Sequence, residues 1–457
     1  MKALLLNQTE CVRSVMDLQL IRKVLKANGW EFVHEISKAD KIFLGTCAFS
    51  SEFEDQAFGL IEAVKEANIN NAEIVVCGCL SDINRERLGR LGNFRTVDPR
   101  SLDKINHIIQ AEVGISEFDD VNELDCSMVV PWIKYPEIVP NELTTAKIIY
   151  RIKSFLKERA KKILDVETFY TYIYRKDVFH IRIARGCMGS CSYCAVRFAL
   201  GPLKSKPPEE VVREFQKGID AGYREFCLTA GDVGCYGLDI STDLVELLRA
   251  LFQIHEDCEI SLADTNLKWF MMLYDRFMEL LKERPGRIKY IQLPIQSGSD
   301  KILERMQRGY NTRDIYKAVE GLRTIDQYIR ISTHIMVGFP GETNSDFNKT
   351  VELVKRLKFF DVVVNEYTDR PNVFSAGLEP KLPESTIRMR AGRVKRILHT
   401  RIVVSRVRRL IDILFLPLVS FSRGRYECPS IPRHVDRSNA VSSSAQPNQP
   451  KTSISRR

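Results

Sequence analysis

The first part of the chain alternates between short apolar runs and stretches with helical spacing. Apolar runs at residues 3–6, 41–45 and 73–77 predict strands, and the stretches between them predict helices. In the first of these stretches, apolar side chains recur at helical spacing from Val15 to Leu25. Because strands and helices alternate, we predict a small α/β domain with a parallel sheet at residues 1–115.

The same alternation resumes further along the chain and repeats. Runs typical of strands, with a helical pattern between each pair, occupy residues 178–183, 225–229, 258–262, 288–293, 330–337 and 361–367. Crossovers between parallel strands are right-handed, so six such units predict a curved parallel sheet or partial (β/α)6 barrel at residues 177–385. Six units are too few for a closed eight-stranded barrel.

Three segments fall outside these two α/β regions. Residues 116–176 are less regular and are predicted to form a helical connector. Residues 386–428 are predicted to be a basic helical segment, either packed through an apolar stripe or binding RNA or a membrane surface. Residues 429–457 are rich in Ser, Pro, Asn, Gln and Arg, and we expect a disordered tail.

Length and charge narrow the class of protein. A chain of 457 residues is long enough for two or three domains. Its 68 basic and 59 acidic residues give a net charge of +9, which favours a polyanionic partner such as RNA. We expect neither a secretory signal nor a membrane span, since no run reaches the about 20 apolar residues that a spanning helix needs. Twelve cysteines without an export signal indicate metal or redox use in a reducing compartment, so a cytoplasmic protein is expected.

Three closely spaced cysteines follow the first predicted strand of the second α/β region. Cys187, Cys191 and Cys194, here called the second triad, lie in a loop where parallel sheets and barrels place their chemistry. Three thiolates can hold three irons of a four-iron cluster and leave the fourth iron open. A zinc site would prefer four ligands in paired Cys-x2-Cys elements, and incidental buried cysteines are the other alternative.

Three more cysteines follow strands of the first region. Cys11, Cys47 and Cys79, here called the first triad, each come shortly after a predicted strand. Carboxyl ends of parallel strands point the same way, so these loops can converge and again suit a cluster with an open iron. Cys77 competes with Cys79, although Cys77 lies within a strand and is predicted to face the core. Buried structural cysteines remain the alternative.

The order of these motifs resembles that of the radical S-adenosylmethionine methylthiotransferases. The pattern Cys-x3-Cys-x-aromatic-Cys of the second triad is similar to the signature of the radical S-adenosylmethionine superfamily. The likeness runs from about residue 1 to 385 and is carried by Gly-Thr-Cys-Ala at 45–48, Cys-Gly-Cys-Leu at 77–80, Gly-Pro-Leu-Lys-Ser-Lys-Pro-Pro-Glu-Glu at 201–210, Leu-Pro-Ile-Gln-Ser-Gly-Ser-Asp at 293–300, Met-Gln-Arg-Gly-Tyr at 306–310 and Val-Gly-Phe-Pro-Gly-Glu-Thr at 337–343.

The resemblance implies an enzyme with two 4Fe–4S clusters. The second triad would hold the cluster that generates a 5′-deoxyadenosyl radical from S-adenosylmethionine, and the first triad an auxiliary cluster that bears or activates the donated sulfur. The implied reaction inserts a methylthio group at an unactivated C–H bond, with another S-adenosylmethionine as methyl donor. A one-electron donor such as flavodoxin or ferredoxin is the implied partner.

The resemblance also implies contacts with S-adenosylmethionine. Tyr193 would lie near the adenine, and a core aromatic is its alternative role. Gly231 and Asp232 stand where the superfamily usually has a Gly-Gly-Glu-like turn that receives the methionine amino group. A plain turn with a helix-capping Asp is the alternative there. Gly338 would allow close approach of the cofactor at a Gly-Pro turn.

Two departures from the family bear on the substrate. The family usually reads Gly-Cys-x-x-Asn with an Asp three residues later, whereas here Glu10 precedes Cys11, Ser14 replaces the Asn, and Asp17 keeps its place. Members commonly end in a small RNA-binding β-barrel, and this chain shows no clear series of short strands after residue 372.

The leading hypothesis is a methylthiotransferase that acts on threonylcarbamoyladenosine or a related modified adenosine of tRNA. It rests on residues 229–237 and their surroundings, which look closest to the members that act on that nucleoside. Methylthiolation of a protein or peptide side chain, or of a small metabolite, is the second hypothesis. The third is a non-catalytic iron–sulfur protein, although a purely structural cluster would more often be closed by four ligands.

Overall fold

The structure is a computed structural model that describes residues 1–9, 11–125 and 168–398. The tail predicted at 429–457 lies outside the described residues, as do most of the predicted basic segment and much of the predicted connector. Within the described ranges, no helix is long and apolar enough to cross a membrane.

Five parallel strands form the sheet of the N-terminal region. They lie in the order β2-β1-β3-β4-β5, with the bounds β1 Lys2–Asn7, β2 Glu31–Phe32, β3 Lys41–Thr46, β4 Glu73–Gly78 and β5 Arg95–Val97. The predicted parallel α/β architecture is confirmed, and the three predicted strands match β1, β3 and β4 to within a residue at each end.

Helices cover both faces of this sheet. Their bounds are α1 Val12–Ala27, α2 Ser51–Ala67, α3 Leu80–Ile83, α4 Arg85–Leu91 and α5 Lys104–Ile109. Side chains alternate along β3, so Phe43 packs in one core with α1, whereas Ile42 and Leu44 pack in another with α2. Helix α1 therefore lies on one face of the sheet and α2 on the other.

Six parallel strands form the second sheet, in the order of the sequence. Their bounds are β6 Val178–Arg182, β9 Glu225–Thr229, β10 Glu259–Leu262, β11 Ile288–Gln292, β12 Arg330–Val337 and β13 Asp361–Glu366. The edge strands are β6 and β13, so the predicted open six-stranded arrangement is confirmed. A short antiparallel pair, β7 Ala184–Arg185 and β8 Lys204–Ser205, follows β6.

Helices connect the strands of this partial barrel, and one short helix precedes its first strand. Their bounds are α6 Phe169–Ile173, α7 Val196–Leu200, α8 Pro208–Asp220, α9 Leu244–Ile254, α10 Leu267–Met272, α11 Tyr274–Glu283, α12 Asp300–Arg305, α13 Thr312–Ile325 and α14 Asn344–Leu357. Residues 384–398 are also helical. Short 3-10 turns occur at Ile36–Lys38, Ile115–Glu117, Val233–Cys235 and Phe374–Gly377.

Aromatic side chains fill part of the inner face of the barrel. Helix α6 contributes Phe169 and Tyr172, and the Tyr172 ring stacks on Tyr290 with a centroid separation of 4.3 Å. These rings belong to the same buried core as the α1 face of the N-terminal sheet. The N-terminal region therefore packs against the inside of the barrel and shares a core with it.

The described part of the basic segment packs against the barrel. Arg390 is buried and pairs with the carboxylate of Glu342, also buried. Arg388 pairs with Glu384 in the same helix, and Lys395 lies 3.6 Å from Glu366. These pairs favour the packed-helix alternative for residues 386–398.

Candidate active site

The loops after β1, β3 and β4 bring the first triad together. Cys11 precedes α1, Cys47 follows β3, and Cys79 precedes α3, and all three line one cavity of about 370 Å³. Burial, and after it the charge of Cys11, raises the pKa of the Cys47 thiol to about 11. The convergence predicted from parallel strand ends is observed.

Cys77 does not join this cluster. It lies inside β4, is 4% exposed and packs in the core that contains α1, as predicted. Buried positions are also found for Cys227, Cys235 and Cys258. Cys126 and Cys428 lie outside the described residues.

The second triad is gathered in the loop between β7 and β8. The backbone N–H of Gly189 donates to Sγ of Cys187 at 3.1 Å. A Cβ at Gly189 would lie 3.2 Å from Sγ of Cys187 and 3.7 Å from Sγ of Cys191, so the two sulfurs flank this glycine. Burial and then the charge of Asp232 raise the pKa of Cys187 to about 12, and burial and then the charge of Cys191 raise the pKa of Cys194 to about 11.

Two glycines let the cysteine loop pack closely against its neighbours. Gly186 has φ +77°, and a Cβ there would lie 1.8 Å from the carbonyl oxygen of Pro202. A Cβ at Gly231 would lie 2.2 Å from the carbonyl oxygen of Gly186. Contacts this short exclude a side chain, so both positions require glycine. The requirement at Gly231 arises from the cysteine loop itself.

Arg308 contacts the second triad and was not identified from the sequence. Its Nη1 donates to Sγ of Cys191 at 2.9 Å, its Nη2 donates to the carbonyl oxygen of Pro294 at 2.6 Å, and its Nε donates to Oη of Tyr310 at 2.9 Å. The side chain is almost fully buried. The one sequence signal for Arg308 was its position in the motif at 306–310. That motif does not show which distant residue Arg308 contacts.

Asp232 has one carboxylate oxygen available for a ligand. Oδ1 accepts hydrogen bonds from the backbone N–H groups of Gly234 and Asn266, each at 3.0 Å. Oδ2 is buried and has no partner among the residues that the structure describes. Burial raises the pKa of Asp232 to about 6, and the charge of Arg308 opposes that rise. A buried oxygen without a partner is the feature expected where a ligand's donor binds.

Tyr193 and Gly338 have structural partners of their own. The ring of Tyr193 meets Phe339 edge-on at 6.4 Å between centroids. The N–H of Gly338 donates to Oε2 of Glu342 at 2.8 Å, and a Cβ at Gly338 would lie 2.5 Å from Cγ1 of Ile387. Gly338 has φ +81°, and the lack of a side chain there lets Ile387 of helix 384–398 pack against it. The cofactor contacts of both residues stay predictions.

Polar side chains from the barrel strands, the loop after β10 and helix α6 line the same cavity as the first triad. Nε2 of His334 lies 3.1 Å from Nε2 of Gln292 and 3.3 Å from Oη of Tyr170. The N–H of Asp264 donates to Oε1 of Gln292 at 3.0 Å. These four residues line the same cavity as the three cysteines. The lining of the cavity thus combines thiols with a hydrogen-bonded polar network.

Family models match both α/β regions. The model described as the radical SAM superfamily matches residues 181–354, where SAM denotes S-adenosylmethionine. The model described as uncharacterized protein family UPF0004 matches residues 4–97. One match therefore contains the second triad, and the other contains the first triad.

Full-length relatives share both regions in the same order. The threonylcarbamoyladenosine tRNA methylthiotransferase MtaB of Thermotoga maritima is 27% identical over 387 residues, covering 84% of this chain and 79% of the relative. The chain belongs to the radical SAM methylthiotransferase family. A probable threonylcarbamoyladenosine tRNA methylthiotransferase of Methanocaldococcus jannaschii is 29% identical, covering 84% of this methylthiotransferase and 79% of the relative. The ribosomal protein uS12 methylthiotransferase RimO of Chlamydia pneumoniae is 25% identical, with coverages of 82% and 72%.

A solved structure shares the fold of this methylthiotransferase. The radical S-adenosylmethionine methyltransferase TsrM of Kitasatospora setae, with tryptophan and a SAM analogue bound, matches with a TM-score of 0.51 and 14% identity. The match covers 82% of this chain and 75% of TsrM. At this identity the likeness concerns the fold alone.

The donor sets of this methylthiotransferase fit the cofactors of its family, S-adenosylmethionine and iron–sulfur clusters. Each triad offers three thiols, the ligand type that iron–sulfur clusters use. Among the described residues, no group of His, Cys, Asp or Glu side chains is placed to hold a single metal ion. Next to the second triad, the unpartnered Oδ2 of Asp232 suits an ammonium group, as in the methionine part of S-adenosylmethionine. The residues present therefore fit both groups.

Proposed function

We propose that this methylthiotransferase replaces a hydrogen of threonylcarbamoyladenosine in tRNA with a methylthio group. Three relatives are named for that substrate. They come from Thermotoga maritima, Methanocaldococcus jannaschii and Pyrococcus horikoshii, and each matches over 84–85% of this chain. The observation that carries the proposal is the cavity of about 370 Å³ between the first triad and the barrel. This volume is in the range of small-molecule sites and suits a single nucleoside.

The proposal assigns a 4Fe–4S cluster to each triad. Cys187, Cys191 and Cys194 would hold the cluster that binds S-adenosylmethionine, because Asp232 and Arg308 lie beside them. The first triad would hold the auxiliary cluster, because its cysteines line the cavity directly. The segment between β7 and β8, which carries the second triad, also lines this cavity, through Gly186 and through Val196 and Leu200 of α7. A substrate bound there would lie between the two clusters.

The chain's own residues would bind the cofactor and the substrate. When bound, S-adenosylmethionine and its cluster supply the radical that removes hydrogen from the substrate. Asp232 would accept a hydrogen bond from the ammonium group of S-adenosylmethionine. Gln292, His334 and Tyr170 would orient the substrate against the first triad, and Phe49 and Phe53 contribute apolar walls that exclude water.

The proposal is tested with tRNA that carries threonylcarbamoyladenosine but lacks the methylthio group. The reconstituted enzyme is incubated anaerobically with this tRNA, S-adenosylmethionine and a reductant, and the digested nucleosides are analysed by mass spectrometry. We expect threonylcarbamoyladenosine to gain one methylthio group in place of one hydrogen. A variant with Cys11, Cys47 and Cys79 changed to Ala should cleave S-adenosylmethionine and leave the tRNA without methylthio groups. Modification of ribosomal protein uS12 with unchanged tRNA would contradict the proposal.

A further inference from the structure

Arg13 connects the helix next to the first triad with the carboxyl ends of two barrel strands. Its Nη1 donates to Oδ2 of Asp264 at 2.9 Å and also to the carbonyl oxygen of Ala230. Ala230 directly follows β9, and Asp264 lies two residues beyond β10. Arg13 lines the cavity, and 21% of its side chain is exposed. A guanidinium therefore lies in the proposed substrate cavity.

The other two arginines that line the cavity are engaged elsewhere. Arg182 donates to Oδ1 of Asp17 at 2.5 Å, and its side chain is only 3% exposed. Arg185 donates to the same oxygen through both Nη1 and Nη2, each at 3.1 Å. Asp17 thus pairs with both of these guanidinium groups, whereas Arg13 pairs with Asp264.

One edge of the Arg13 guanidinium is available. Both of its hydrogen bonds are made by Nη1, and Nε and Nη2 make none with the residues that the structure describes. Nε and Nη2 form the planar edge that binds a carboxylate through two parallel hydrogen bonds. A second carboxylate can therefore bind Arg13 without displacing Asp264.

We propose that Arg13 selects the substrate by binding the carboxylate of its threonylcarbamoyl group through Nε and Nη2. This inference rests on the proposed function, which places a modified adenosine in the cavity. The threonyl carboxylate is an anion that adenosine itself lacks, so a cation placed to bind it distinguishes the two. The polar network of Gln292, His334 and Tyr170 lies on the barrel side of the same cavity and is available to the rest of the nucleoside.

The inference is tested by equilibrium binding of two nucleosides to the cluster-reconstituted enzyme. One probe is N6-threonylcarbamoyladenosine, and the other is the same nucleoside with the carboxylate replaced by a carboxamide. For the wild type, we expect the acid to bind about 10- to 100-fold more tightly than the amide, as for a hydrogen-bonded charge pair. In Arg13→Met, the acid should lose that advantage while the affinity for the amide stays the same.

A matched control lies on the same helix. Arg22 pairs with Asp125 at 3.0 Å and does not line the cavity. Arg22→Met also removes a guanidinium and an aspartate pair from α1, so any general effect on that helix appears in both variants. We expect Arg22→Met to keep the wild-type preference for the acid.

Asp264→Asn provides a test in the opposite direction. Asn has the same shape as Asp and tolerates the left-handed backbone at this position, where φ is +49°. The substitution removes the carboxylate that already lies against Arg13 and would repel a second one. We expect the acid to bind several-fold more tightly than in the wild type, with no change for the amide.

The possible outcomes separate this inference from the proposed function. If the wild type methylthiolates the tRNA and Arg13→Met keeps the preference for the acid, the role of Arg13 is wrong and the function stands. An equal loss of affinity for both probes in Arg13→Met would also overturn the role, since it would indicate a structural effect. If the wild type neither binds the acid nor modifies the tRNA, both proposals fail.

Discussion

Arg308 places a buried positive charge against a sulfur of the second triad. A hydrogen bond to a ligand sulfur and a nearby positive charge both stabilise the reduced, more negative state of an iron–sulfur cluster. Arg308 makes the hydrogen bond to Cys191 and is held in place by Pro294 and Tyr310. Its function in the proposed site is therefore to set the reduction potential of the cluster.

We predict that Arg308→Met makes the reduction potential of the second-triad cluster more negative. The expected shift is roughly 65–130 mV, the one-electron equivalent of about 1.5–3 kcal/mol for a hydrogen bond to a charged group. A redox titration followed by electron paramagnetic resonance measures it, in a background where the first triad is changed to Ala. Arg305→Met is the control, because Arg305 donates to the carbonyl oxygens of Pro340 and Glu379. Equal potentials in wild type and Arg308→Met would refute this role.

Single residues were predictable from the sequence where their function depends on local spacing. The three cysteines of the second triad lie within eight residues, so the chain itself holds them close together. Arg308 and Cys191 are 117 positions apart, and Arg13 and Asp264 are 251 apart. No local pattern marks such pairs, because the contact is created by the packing of the two regions.

At the scale of single elements, capping side chains fix where helices begin. Helix α14 begins after Thr343, whose Oγ1 accepts a hydrogen bond from the N–H of Asp346 at 3.2 Å. The carboxylate of Asp346 accepts in return from the N–H of Thr343 at 3.0 Å and from Oγ of Ser299 at 2.7 Å. This reciprocal pair satisfies N–H groups that the first helical turn leaves free. These hydrogen bonds to the carboxylate hold the pKa of Asp346 below its ordinary value, although burial opposes them.

We predict that Asp346→Asn lowers the free energy of unfolding by about 1–2 kcal/mol at pH 7. A lowered pKa means that the ionised carboxylate stabilises the folded state above its unfolded pKa of about 4 and is lost as the pH falls through the folded value. The difference between wild type and variant should therefore shrink below about pH 4. Urea unfolding between pH 7 and pH 3 measures it. Asp314 lies in an exposed capping box, so Asp314→Asn should lower the free energy of unfolding by less than Asp346→Asn does. A difference independent of pH would contradict the assignment.

The strength of the sequence pattern decided which elements were predicted. The buried strands β9 and β12, of five and eight residues, were predicted with the bounds that the structure has. Strands β2, β5, β7 and β8 have two or three residues each and were missed. So short a strand has no periodicity to detect, because its pairing is fixed by neighbouring strands. The five-residue helix α6 lies inside the predicted helical connector, but its own bounds were not predicted.

At the scale of the whole molecule, a buried ion cluster joins the N-terminal region to the barrel. Asp17 on α1 accepts hydrogen bonds from Arg182 of β6 and Arg185 of β7. Only 12% of the Asp17 side chain and 3% of the Arg182 side chain are exposed. Removing one partner of a buried pair leaves the other charge uncompensated. The position of the first triad opposite the barrel therefore depends on this contact.

We predict that Asp17→Asn lowers the free energy of unfolding by about 2–3 kcal/mol, because Arg182 loses its nearest carboxylate; the loss stays below that of a wholly unpaired buried charge because Asp120 still lies 3.6 Å from Nε of Arg182. Chemical denaturation of the apoprotein measures the loss. Asp125→Asn is the matched control, since it removes an exposed partner of Arg22 on the same helix and should cost less than about 1 kcal/mol. Similar losses in the two variants would show that Asp17 does not join the regions as described.

Both α/β regions were predictable from the sequence, and their mutual packing was not. Each sheet follows from periodicity within a short stretch of chain, whereas the shared core combines α1, α6 and the inner barrel face. Asp17 was noted only as a residue that keeps its place in a family motif. Its partners in the barrel are 165 and 168 positions away, so the sequence offered no indication of this contact.

The iron and sulfide content of the anaerobically reconstituted protein shows directly whether each triad holds a four-iron cluster. We predict about eight irons for the wild type, as two four-iron clusters require. Changing Cys187, Cys191 and Cys194 to Ala should leave about four irons, and changing Cys11, Cys47 and Cys79 to Ala should also leave about four. About four irons in the wild type, falling to none when the second triad is changed, would contradict the account, because the first triad would then hold no cluster.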